Sequence, residues 1–153
     1  MSAKNKVGYK ENKVKPLIFV VQKHSARNLH YDFRLEMDRV LKSWVVPKEP
    51  STEPDVKRLA IMVDDHDLSY ANFEGEIEEG SYGAGKVEIW DKGTYELEAR
   101  KQEGKEDKKF VFILHGKKLK GRYTLLRFEK AGPNNWLLFK TKEEQKVRSI
   151  KSK

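Results

Sequence analysis

Apolar residues along this chain come in short runs, continuous or alternating, and nowhere hold a long helical period. Leu17, Ile18, Phe19, Val20 and Val21 form an unbroken apolar run rich in β-formers, which predicts a buried strand. Ser25 to Asn28, following His24, reads as a turn. Beyond it Leu29, Tyr31, Phe33 and Leu35 alternate with His30, Asp32 and Arg34. In an extended strand these two sets point to opposite faces, so one face packs into a core and the other carries the polar groups. Glu36 to Arg39 reads as a hairpin loop, and Val40 to Val46 returns as a partner strand stopped by Pro47.

Further strands are predicted at 58–64, 86–90, 94–97, 110–114, 122–128 and 136–140. Between them lie the Pro-rich loop from Lys48 to Val56, the glycine segment Gly80 to Gly85, and Asp91-Lys92-Gly93, all read as turns or loops. Residues 98–109 are charged throughout and fit a solvated loop or the tips of two strands. The glycine segment lacks the Gly-Lys-Ser/Thr ending of a nucleotide loop and is followed by a strand pattern, so it reads as a sharp turn. The pattern predicts a mainly β protein: a barrel or sandwich of about eight to ten short strands with a few short helices. Trp44, Trp90 and Trp136 are expected in its core. Residues 1–15 form a polar N-terminal tail, 16–142 the β domain, and 143–153 a basic C-terminal tail.

The polar face of the second strand carries the chemistry. His24, His30 and Asp32 are two imidazoles and a carboxylate, a donor set suited to a divalent transition metal. Arg34 lies one strand repeat beyond Asp32, where a guanidinium could take a phosphate beside the metal. A solvated strand face could carry the same residues with no ligand at all. A two-His-one-carboxylate set also serves iron oxygenases, but here all three candidates fall within nine residues, which disfavours that reading.

Composition narrows the partners. The chain of 153 residues contains no cysteine, so disulfides and thiolate metal sites are excluded and any metal must take nitrogen and oxygen ligands. The net charge of +8 is uneven: residues 1–48 carry +7, residues 49–99 carry −10, and residues 100–153 carry +11. Basic ends of this kind can follow a nucleic-acid backbone, or simply confer solubility. No signal peptide or membrane-length apolar run is present, and a soluble cytoplasmic protein is expected.

Six segments in order carry a family resemblance: FVVQKHSARNLHYDFRLE, LKSWVVPK, KRLAIMVDDHDLSYANFEG, GSYGAGKVEIWD, GRYTLLRF and WLLFK. Across Leu17 to Lys142 the chain resembles the 3′-phosphoesterase domain of bacterial DNA ligase D, which also occurs as a free-standing protein. The resemblance implies a compact β-barrel with its active site in a groove outside the barrel. It implies a Mn²⁺-dependent enzyme of non-homologous end joining, with Co²⁺ or Zn²⁺ as other candidate metals. Such an enzyme removes 3′-phosphates from DNA or RNA ends and trims a 3′-terminal ribonucleotide from a primer–template.

Carried over by position, the resemblance places metal ligands on His24, His30 and Asp32, and catalytic or phosphate-binding groups on Arg34, His66 and Tyr70. Lys48 and Arg58 become substrate contacts. Asp64 or Asp65 is a candidate to orient His66, and His115 reads as structural. The segment GYKENKVKP departs from the family pattern of an Arg-Asp pair and a glutamate before the first strand, groups that bear on the diesterase step. The expected partners are nucleic-acid 3′ ends and a separate ligase or polymerase, with the protein itself a monomer. The competing reading is a non-catalytic β-barrel that binds nucleic acid.

Overall fold

The computed structural model describes residues 15–142 apart from Tyr82, so segments 1–14 and 143–153, with the tails assigned to them, lie outside the described residues. Alternation and β-propensity produce nine strands: β1 (Leu17–Ser25), β2 (Leu29–Met37), β3 (Val40–Val46), β4 (Arg58–His66), β5 (Gly75–Ile77), β6 (Gly85–Glu103), β7 (Glu106–His115), β8 (Lys120–Arg127) and β9 (Asn135–Lys140). They form one antiparallel sheet in the order β1-β2-β3-β4-β9-β8-β7-β6-β5, and an additional β1–β6 pairing closes it into a barrel. The helical content is two 3₁₀ turns, Leu68–Asn72 and Glu129–Ala131. None of the described helices is long and apolar enough to cross a membrane.

The inward positions of every strand except β5 meet in one core. Phe33 packs against Phe19, Trp44 and Phe112, and Trp44 meets Trp136 edge-on with ring centroids 5.6 Å apart. Trp44 and Trp136 are fully buried, while Trp90 packs partly buried at the core's edge. Truncating a ring such as Phe33 in this setting costs about 3–5 kcal/mol.

The outer face of β2 is not the solvated surface that alternation suggests. A second, smaller apolar cluster lies outside the barrel, where Val20 and Leu41 bury Ala71, with Leu68 and Tyr70 packed alongside. It clamps the 3₁₀ turn Leu68–Asn72 over β1, β2 and β3, and Asp67 caps that turn by accepting the Ser69 N–H. Beneath it Asp32 is 7% exposed and Arg34 3%.

Two features set the register around this cover. The β2–β3 turn is Asp38-Arg39, both at positive φ (58° and 70°), the geometry of a two-residue type I′ hairpin. In β4 the register shifts so that Ser43 faces Val63 but Leu41 faces His66, with Asp64 and Asp65 together opposite Lys42. This bulge puts His66 on the outer face with Val63, where plain alternation would have put Asp65.

One predicted turn is shorter than expected and another proves to be strand. His24 belongs to β1 and sits directly across from His30, with only Ala26 to Asn28 joining β1 to β2. Asp91-Lys92-Gly93 is the middle of the 19-residue β6. Asp91 pairs with Val21 and turns its carboxylate to the backbone N–H groups of Lys117, Lys118 and Leu119, holding the β7–β8 turn. Gly93 is needed because a Cβ there would lie 2.1 Å from the His115 carbonyl oxygen.

Candidate functional site

One hairpin supplies the centre. In the β1–β2 register His24 faces His30, Gln22 faces Asp32 and Val20 faces Arg34, so His24, Gln22, His30, Asp32 and Arg34 share the outer face. The nearest ring nitrogens of His24 and His30 lie 3.8 and 3.5 Å from Asp32 Oδ2, and Arg34 Nη2 lies 3.6 Å from the same oxygen. The two imidazoles meet edge-on at 4.8 Å between centroids.

Backbone carbonyls fix both rings. His24 Nε2 donates to the Gly83 oxygen at 2.8 Å, and His30 Nδ1 donates to the Asn28 oxygen at 3.0 Å. With those nitrogens protonated, His24 Nδ1 and His30 Nε2 keep their lone pairs and face Asp32. The ligand atoms of His24, His30 and Asp32 lie within 4.8 Å of one another. Two imidazole nitrogens and a carboxylate oxygen gathered on one face are a donor set that fits a first-row metal. The glycine segment thus contributes a carbonyl to His24, a role its turn-like composition did not announce. Gly83 sits at φ +78°, which favours glycine.

Arg34 is held edge by edge. Nε donates to Gln22 Oε1 at 2.7 Å, and Nη1 donates to Ser43 Oγ at 2.9 Å and to His66 Nδ1 at 3.3 Å. Nη2 is the edge turned toward Asp32 and the hollow. The whole fork is not open to a phosphate, because Nε and Nη1 are already engaged. Gln22, fully buried, also donates through Nε2 to the carbonyls of Tyr70 (2.9 Å) and Phe73 (3.3 Å), tying Arg34 to the 3₁₀ turn. Sequence reasoning passed over Gln22 and Ser43. The signal for Gln22 was its place two residues before His24, on the same face of a strand.

His66 and Tyr70 arrive from the end of β4 and from the 3₁₀ turn, not from one helical turn, with ring centroids 4.8 Å apart. Arg34 lies over the Tyr70 ring at 4.9 Å, and Phe73 stacks on the ring's other neighbour position at 5.0 Å. Burial, then the charge of Arg34, hold His66 below its ordinary pKa. The Asp64 backbone opposes that shift, so Asp64 meets the ring through its main chain. Burial likewise keeps the Tyr70 hydroxyl protonated above its usual range. His30 is pushed up, first by its hydrogen bond to Asp32.

These groups line a cavity of about 480 Å³ together with Ala26, Val45, Val63, Asp64, Ile77 and Gly83. Lys48 and Arg58 are not part of that lining. Lys48 lies exposed just past the end of β3, and Arg58, at the start of β4, donates through Nε to the Glu49 carbonyl at 2.7 Å. His115 is exposed and pairs with Glu96 at 2.6 Å.

The sequence profile of the DNA Ligase D 3′-phosphoesterase domain matches residues 22–127. The multifunctional non-homologous end joining protein LigD of Pseudomonas aeruginosa is 51% identical over 128 residues, 83% of this chain and 15% of that protein. Its namesake in Mycobacterium bovis is 47% identical over 131 residues, 84% of this chain and 17% of the relative. The corresponding protein of Mycolicibacterium smegmatis is 40% identical over 136 residues, covering 85% and 18%. The chain therefore spans under a fifth of the length of these curated relatives. Its match over most of its own length, with His24, His30, Asp32, Arg34, His66 and Tyr70 inside the matched region, makes it a member of the DNA ligase D 3′-phosphoesterase domain family.

Proposed function

We propose that this protein is a Mn²⁺-dependent phosphoesterase of non-homologous end joining that removes 3′-phosphates from DNA or RNA ends and trims 3′-terminal ribonucleotides. The observation that carries the reading is the juxtaposition of two lone-pair-presenting imidazoles, a carboxylate and a buried guanidinium around one cavity. A module that only bound nucleic acid would gain nothing from burying Asp32 and Arg34, since desolvating charge is costly unless the site uses it.

His24, His30 and Asp32 would hold the metal, which when bound supplies positive charge to a phosphate oxygen and acidifies a water. Arg34 presents Nη2 to a second phosphate oxygen, and its other edges keep it rigid. His66 Nδ1 accepts from Arg34, so the neutral ring carries its proton on Nε2. That N–H, with the Tyr70 hydroxyl, donates to the phosphate and to the departing 3′-oxygen. Water adds to phosphorus, the P–O3′ bond breaks, and the 3′-oxygen leaves as a hydroxyl after taking a proton. Lys48 and Arg58, at the β3 and β4 ends, would contact backbone phosphates farther along the strand. A ligase or polymerase acting on the healed end is the expected partner.

The test is phosphate release from a primer–template ending in a 3′-phosphate, with EDTA or with Mn²⁺, Co²⁺, Zn²⁺ or Mg²⁺. Release is expected with Mn²⁺ and not with EDTA, and His30→Ala and Asp32→Ala should abolish both release and calorimetric Mn²⁺ binding. Full turnover by those variants would place the chemistry elsewhere. A primer ending in one ribonucleotide tests the diesterase step, which the divergent residues 8–16 bear on.

A further inference from the structure

The cavity is larger than a cation and a phosphate fill, and its remaining wall is apolar apart from Asp64. Val45 lies directly across from Asp32 on the next strand, and Val63 lies across from Ser43, itself the partner of Arg34. One step from Asp32 thus reaches Val45, and two steps from Arg34 reach Val63, a ledge roughly 5–10 Å from the phosphate groups. Val63 is 38% exposed, one of a few large apolar side chains left open to solvent among the described residues. Neither valine offers a hydrogen bond. The charged group beside them is Asp64, an exposed carboxylate that repels phosphate.

We infer that the Val45–Val63 ledge receives the flat face of the terminal nucleobase, so that the enzyme holds the last nucleoside by apolar contact without reading which base it is. The inference rests on the phosphoesterase reading of the same site. The sugar spans the gap between the phosphate, at Arg34 and the metal ligands, and the base, on the ledge. Base edges carry the identity of a nucleotide, and a wall of valine methyl groups has no donor or acceptor to interrogate them. Apolar contact with one base face still contributes affinity, because every base has an apolar face to desolvate.

The experiment compares primer–templates whose primer strand carries a 3′-phosphate on A, C, G, T or an abasic deoxyribose, using the full chain with Mn²⁺. The four bases should give kcat/KM values within about twofold of one another, and the abasic end should lose about fivefold to tenfold, mainly in KM. Val63→Ser should shrink the ratio between base-bearing and abasic ends, and Val63→Ile should restore it, a pattern that general loss of folding does not produce. Equal processing of abasic and base-bearing ends overturns the ledge while leaving the phosphoesterase reading intact. A preference above about tenfold for one base overturns it too, since that requires hydrogen-bond readout. Absence of phosphate release from all five substrates refutes the phosphoesterase reading itself and the ledge with it.

Discussion

Replacing Gln22 with leucine tests how the site is held together. The side chain is fully buried, accepts from Arg34 Nε at 2.7 Å, and donates to the carbonyls of Tyr70 and Phe73 at 2.9 and 3.3 Å. Leucine keeps much of the volume and removes all three bonds. Losing an acceptor for a charged donor costs about 1.5–3 kcal/mol, and the Tyr70 and Phe73 carbonyls, left without this donor, together cost about 1 kcal/mol more. The better burial of leucine returns about 1 kcal/mol. The net expectation is a loss of about 1.5–3 kcal/mol in urea unfolding, a fall in Tm of roughly 3–12 °C at this chain length. Because the same bonds join Arg34 to the turn carrying Tyr70, kcat should fall in the folded variant as well. Gln22→Glu is the control: it can accept from Arg34 yet sets a carboxylate against two carbonyl oxygens, so it should also destabilise. If Gln22→Leu unfolds within about 0.5 kcal/mol of wild type and keeps its kcat, the bridge carries no energy and the account of Arg34's positioning is wrong.

Two further outcomes follow from other parts of the molecule. His30 is raised above its ordinary pKa by Asp32, so in the metal-free protein its contribution is fully present below the unfolded value near 6.5 and is lost as pH rises through the folded pKa. The stability difference between wild type and His30→Ala should therefore widen on acidification, while Mn²⁺ affinity measured by calorimetry falls over the same window as protons compete for the ring. The opposite trends for one residue are the signature, and parallel trends would refute it. Asp91→Asn replaces a carboxylate that accepts four backbone N–H bonds, from Lys92, Lys117, Lys118 and Leu119, with an amide that can satisfy only part of them. A loss of about 2–3 kcal/mol in unfolding is expected, with kcat retained by the folded fraction, because Asp91 shares the core side of β1 with Val21. An unchanged midpoint would show that the β7–β8 turn does not depend on it.

Three residues of the hairpin were legible because strand alternation is local: a period of two places His30, Asp32 and Arg34 on one face whatever the rest of the chain does. His24 was legible as a ligand candidate but not as a strand residue, since the apolar run ends at Val21 and turn chemistry begins at Ser25. His66 was beyond alternation altogether. It shares a face with Val63 only because two residues oppose one at the bulge, and nothing in Asp64-Asp65 marks that register shift. Asp91-Lys92-Gly93 has the composition of a turn for reasons unconnected with turning: the carboxylate serves a distant loop, and the glycine makes room for a neighbouring carbonyl. The cover over Asp32 and Arg34 depends on the 3₁₀ turn being clamped by Val20 and Leu41, contacts of long sequence separation that a one-dimensional pattern does not contain.

The pairing of β1 with β6 also has a bearing on how the chain is made. Val21 must wait for Asp91, and His24 for the Gly83 carbonyl. A chain emerging from the ribosome N-terminus first would expose both imidazoles and the carboxylate long before their neighbouring strand was synthesised. Contacts so distant in sequence also make closure slow compared with hairpin formation. If the proposed metal binds there, the nascent hairpin would meet it with no wall and with the His24 tautomer still unset, so a tighter-binding ion would have its best chance before the barrel shuts.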